Sequence, residues 1–164
     1  MKNLIIYLIA SLPITIFGQS NNSYNLEVEL NSFDKTIDIK QVMKYKNVSN
    51  ASIDVIFLED WSNSYSNTDT KLAKRISDEY SRSFSFSQKK QRGFTVINKI
   101  SSNDIDKWSR LGNASDIIKL FLKEPLEVNQ SIEIEILYSI KLPDSKFTGF
   151  GYDNSNNFYL KNWI

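Results

Sequence analysis

The sequence predicts a mainly β fold: an antiparallel β-sandwich, or saddle-shaped sheets, with one short helix at about residues 70–82. Three observations carry this. Ile132, Ile134, Ile136, Tyr138, Ile140 and Leu142 recur at every second position, the period of a half-buried strand. Shorter runs of the same kind recur along the chain between turn-forming residues. Only one stretch has helical spacing, with Leu72, Ile76 and Tyr80 at i, i+4 and i+8 and Ala73 beside them.

The first strand is Tyr24 to Leu30. Tyr24, Leu26, Val28 and Leu30 fall on one face, and Asn25, Glu27 and Glu29 on the other, as in a half-buried strand. Asn31, Ser32 and Asp34 supply turn chemistry. Thr36 to Tyr45 follows, with Ile37, Ile39, Met43 and Tyr45 on one face and Gln41 interrupting it. A polar connection leads to Ile53–Leu58, where Ile56 and Leu58 oppose Val55 and Phe57. These antiparallel pairs with short polar turns suggest a meander. The polar loop 62–69 has Tyr65 as its only large apolar residue, and Thr70 is placed to cap the helix.

After the helix, Phe84 and Phe86 alternate with serines, and Gly93 ends a basic, polar break. Phe94, Val96 and Ile100 form a further strand, and Ile118, Leu120 and Leu122 share a face of the next, which Pro125 stops. Residues 131–142 would span about 40 Å at about 3.4 Å per residue, so that strand should lie centrally or bend. Two short aromatic strands, Phe147–Tyr152 and Phe158–Trp163, close the chain around an Asp/Asn/Ser turn.

Residues 1–18 read as a secretory signal peptide: Lys2, then an apolar run interrupted by Pro13, then Gly18 before a polar stretch. The run is too short and too broken for a stable membrane span. The expected location is therefore exported: periplasmic, cell-surface or secreted. Residues 19–164 form one β-rich domain, expected to be incomplete at its C-terminus because Phe158–Ile164 is an apolar strand with no polar cap. Beyond the leader the chain has 19 basic and 19 acidic residues, a neutral balance that gives no footprint for nucleic acid. With neither cysteine nor histidine, the chain lacks disulfides, thiolate and Ser-His-Asp chemistry, and the commonest zinc ligand.

No phosphate-cradling glycine loop, no HExxH and no metal-spaced cluster is present, so no catalytic residue, metal ligand or cofactor is assigned to this chain. Glu59 and Asp60 are adjacent carboxylates at a strand end, where neighbours face opposite ways; they read as a solvated terminus. The aromatic residues stand out instead. Trp61, Phe147, Phe150, Tyr152, Phe158, Tyr159 and Trp163 mark a candidate interdomain or ligand interface, or part of the core.

The strand order carries a resemblance. Tyr24–Val28, Tyr45-Lys46-Asn47, Phe57-Leu58, Asp116–Ile118, Pro125-Leu126 and Ser131–Pro143 together resemble the N-terminal β domain of zinc aminopeptidases of the aminopeptidase N family. The segments Asp60–Ser66, Leu72–Arg75, Arg92–Thr95 and Lys146–Gly151 look like the branch found in exported Bacteroidetes proteins. Where that family has Pro-Gly in the turn after Pro-Leu, this chain has Val128-Asn129, and Asn also tolerates a positive φ. The resemblance implies a non-catalytic domain that packs on, and helps wall, the cleft of a downstream catalytic domain of the same polypeptide. Zinc and the peptide substrate would belong to that parent, whose ligands and general base lie beyond this segment. The alternative is a free-standing secreted β-sandwich that binds glycans or peptides on its aromatic face.

Overall fold

The computed structural model describes residues 22–161, apart from residues 80 and 113. The expected leader, Tyr80 and Trp163 lie outside the described residues. Nine strands and one α-helix are described: β1 (Ser23–Asn31), β2 (Thr36–Lys46), β3 (Ile53–Glu59), α1 (Lys71–Asp78), β4 (Phe94–Ser101), β5 (Ile105–Leu111), β6 (Ala114–Leu126), β7 (Ser131–Lys141), β8 (Gly151–Tyr152) and β9 (Phe158–Tyr159). Short 3-10 turns occupy Trp61–Tyr65 and Lys89–Gln91. The mainly β prediction with a single short helix holds.

The strands form a four-stranded sheet in the order β1-β2-β7-β4, a three-stranded sheet in the order β3-β6-β5, and the small β8-β9 hairpin. All the ladders are antiparallel. The long strand β7 lies centrally, between β2 and β4, as its unbroken apolar face requires. β2 does not continue into a meander with β3. It pairs with β7, and β3 crosses to the other sheet. Asn47 fixes that crossing. It is fully buried, its amide donates to Ala51 O and Leu126 O, both at 2.8 Å, and its own backbone bonds to the 129–130 turn.

One face of the four-stranded sheet carries two apolar clusters end to end. At one end Met43, Ile132, Ile134 and Ile136 meet Ile56, Ile118, Leu120 and Leu126 of the three-stranded sheet. At the other end Ile37, Ile39, Ile140 and Leu142 are covered by Leu72, Ala73 and Ile76 of α1, with Tyr65, Phe84 and Phe150. Full burial of each such side chain stabilises by about 1.5–3 kcal/mol. Tyr138 lies partly buried against both clusters, at the seam.

Several local expectations are corrected. α1 is shorter than predicted. Thr70 caps it as expected, accepting from Ala73 N at 3.2 Å, while its hydroxyl donates to Ser64 O at 2.7 Å. β1 is not half-buried: Tyr24, Val28 and Leu30 are 54%, 46% and 41% exposed. They stand directly opposite Met43, Ile39 and Ile37, so they continue the core face past the layer that covers it. Phe84 and Phe86 sit in a turn, one buried and one 78% exposed. In β4 Thr95 is buried and Ile97, Ile100 and Ser101 are partly so, while Phe94 and Val96 face out. β5, mostly polar, was not expected as a strand, and β6 runs on through Pro125 to Leu126. The C-terminal aromatic strands shrink to two residues each.

Candidate functional site

The Asp60–Tyr65 segment joins the two sheets. It follows β3, and the Asp60 side chain accepts from Asn63 N at 3.2 Å, closing the 3-10 turn. Asp60 Oδ1 also accepts the Thr95 hydroxyl of β4 at 2.6 Å. Its Oδ2 lies 2.8 Å from Arg110 Nη1 of β5. Asn63 Oδ1 accepts Thr95 N at 3.1 Å, and the Ser64 hydroxyl donates to Asp116 Oδ2 at 3.2 Å. Asp60 is thus not a solvated terminus. It is buried and paired, while Glu59 is exposed on the opposite face. The separation of the two carboxylates follows from strand alternation.

The predicted aromatic residues fall into three groups. Trp61, 41% exposed, sets its ring edge-on to Tyr65 with centroids 5.8 Å apart. Tyr65 meets Phe84 at 6.2 Å and Phe150 at 5.8 Å, and Phe84 meets Phe147 at 4.9 Å. Trp61, Phe147 and Phe150 therefore join one chain of rings through Tyr65 and Phe84. Phe150, at 3% exposure, and Phe147 pack in or against the core there. Tyr152 and Phe158 form a second group around Lys35, whose Nζ is 5.6 and 5.1 Å from their ring centroids. Tyr159 stands apart, its hydroxyl 3.1 Å from Asp153 Oδ2, a bond that raises the phenol pKa.

Beside the Trp61 turn, a groove of about 750 Å³ opens along the seam between the two clusters. Met43, Ile136 and Ile140 line it with Tyr138 and Gln41, and Tyr24, Trp61 and Ser62 border it. The Tyr138 hydroxyl donates to Gln41 Oε1 at 3.0 Å. Burial, and then the nearby Asp60 charge, push the Tyr138 phenol up to about 12. Burial likewise raises Tyr65, whose hydroxyl bonds Thr148. Ser62 is buried, and its Oγ has no hydrogen-bond partner among the described residues. Such an orphaned polar atom costs about 1–3 kcal/mol.

Sequence reading found Trp61 but not the groove beside it. Gln41, the single break in the apolar face of β2, was the available signal; Ser62, Tyr138 and Arg110 gave none. Among the described residues no group of three or more carboxylates is placed to hold a metal ion. The arrangement offers apolar contact and a few hydrogen bonds, the chemistry of binding. No protein-family model matches the chain, and no curated protein matches it.

Proposed function

We propose that this chain is a non-catalytic domain of an exported zinc aminopeptidase, packing on and helping wall the cleft of a catalytic domain supplied by the same polypeptide. The observation that carries the reading is the uncovered part of the core face. Tyr24, Val28 and Leu30 extend that face by one strand beyond its covering layer. An exposed apolar stripe on an edge strand is what an interdomain contact buries. The strand order resembling the aminopeptidase N family supplies the identity of the partner. Zinc and peptide hydrolysis belong, in this reading, to the catalytic domain.

The test is the size and activity of the native product. An antibody to residues 22–161 should detect a band several-fold larger than 19.0 kDa in source cells, and immunoprecipitates should carry chelator-sensitive aminopeptidase activity. A band between about 17 kDa, the chain without its leader at about 110 Da per residue, and 19.0 kDa, with no such activity, would overturn the reading. It would favour a free-standing binding module, for which half-exposed Trp61 beside the groove is the specific support.

A further inference from the structure

The groove at the seam has the composition of a binding site rather than of a packing defect. Its volume of about 750 Å³ falls within the range of about 300–1,000 Å³ that small-ligand sites occupy. The floor is apolar, yet Gln41 and Tyr138 place a polar pair in it, bonded at 3.0 Å. An apolar pair at those positions would fill the same seam without desolvating an amide and a phenol. On the wall, the buried Ser62 hydroxyl has no partner among the described residues. Among the polar groups that line the groove, three uncharged ones keep bonding capacity: the Ser62 hydroxyl, the Gln41 amide nitrogen and a lone pair on the Tyr138 oxygen.

We propose that this groove binds a short, uncharged, apolar peptide segment. Its side chains would rest on Met43, Ile136 and Ile140, and its amides would bond Ser62, Gln41 and Tyr138. The lining residues include two carboxylates, Glu59 and Asp60, and no basic side chain. Asp60 is already paired with Arg110, so a fatty acid, nucleotide or phosphorylated ligand would bury its own charge with no basic side chain of the lining to meet it. The polar groups are distributed between wall and floor, which suits a repeating amide better than a lipid with a single head group. The lining residues come from all four strands of the sheet. Three strand spacings of about 4.8 Å give a length of about 14 Å, or about four extended residues. The proposal does not rest on the aminopeptidase reading, and it holds for a domain that stands alone.

The test is an NMR titration of the full chain, ¹⁵N-labelled, with the peptide acetyl-Ala-Leu-Phe-Val-amide, and with decanoate and decanol as separate probes. The expected result is saturable shifts for the peptide at Ser62, at the Gln41 side-chain amide and at the Trp61 indole. Ser62→Ala and the double change Gln41→Leu with Tyr138→Phe should each weaken binding about tenfold, while the double variant, which leaves neither half of the pair unsatisfied, melts at the same or a higher temperature. That melting result separates a lost contact from a lost fold. No peptide shifts up to about 1 mM, affinity unchanged in both variants, or shifts with decanol or decanoate but not with the peptide would each overturn the proposal.

Discussion

Asp60 Oδ2 and Arg110 Nη1 lie 2.8 Å apart where the Trp61–Tyr65 turn meets both sheets. The carboxylate is buried, and the guanidinium is only a quarter exposed. Asp60 also accepts from Thr95, so one carboxylate holds a turn, β4 and β5 together. Removing one partner of such a pair leaves a buried charge uncompensated.

Arg110→Met should therefore destabilise the chain by about 3 kcal/mol, read as a lower urea midpoint. Adding Asp60→Asn should restore part of the loss. A double variant that is worse than the single one by the full effect of Asp60→Asn would show that the two residues act independently.

Asn47 is a second tie, and a test of the crossing from β2 to β3. Its amide satisfies two carbonyls, and its Oδ1 accepts from Ser49. Asn47→Ala removes the side-chain donor to the buried Leu126 carbonyl, while Ala51 O keeps the Ser49 hydroxyl, and should lose about 1–3 kcal/mol in denaturant melts. Phe86→Ala, at an exposed turn position, should stay within about 0.5 kcal/mol of wild type.

Tyr138 predicts an alkaline weakness. Its pKa is raised from 10.0 in the unfolded chain to about 12 in the fold. Between these values the unfolded chain loses a proton that the folded one keeps. The stabilisation is thus full below pH 10.0 and is lost as pH rises toward about 12. The gap corresponds to at most about 2.7 kcal/mol, and partial solvent access reduces it to about 1–2 kcal/mol. Tyr138→Phe should flatten the fall in stability over that window. An identical slope in the variant would remove Tyr138 from the account.

Gly151 is held at φ +122°, and a Cβ there would lie 1.9 Å from Pro143 O. The backbone of β8 lies directly against the end of the β7 segment, with Tyr152 N donating to Pro143 O at 3.0 Å. Gly151→Ala should cost about 3 kcal/mol or more, or prevent the β8–β9 hairpin from docking. Intact hydrogen-exchange protection at Tyr152 in that variant would contradict this.

The sequence-readable part of the fold was the part set by local alternation. The inward face of β7, the Asn31–Lys35 turn and the Thr70 cap follow from periodicity and side-chain chemistry within a few residues. What was not legible depends on partners distant in sequence. β5 is a strand because β6 offers it a ladder, although its own residues are mostly polar. Phe84 is buried by Tyr65 and Phe147, far from it along the chain, so its alternation with serines misled. Asp60 looked solvated because Arg110 is 50 positions away. The groove itself is a gap between two covering layers, and no single segment encodes it.

The strand order β1-β2-β7-β4 also governs how the chain can fold. Both neighbours of β7 precede it in sequence, β2 by about ninety residues, and neither strand has another partner on that side. Until residues 131–141 join, β4 has no ladder at all, β2 exposes its inner edge, and the α1 layer has only half a sheet to rest on. Loop closure over such separations must precede most of the stabilising contacts, which puts the domain among slow folders, in the millisecond-to-second regime. A chain interrupted before Ser131 would consequently hold a β1–β2 hairpin and the β3-β6-β5 sheet with their apolar faces uncovered and β4 unpaired, the form most exposed to aggregation and proteolysis.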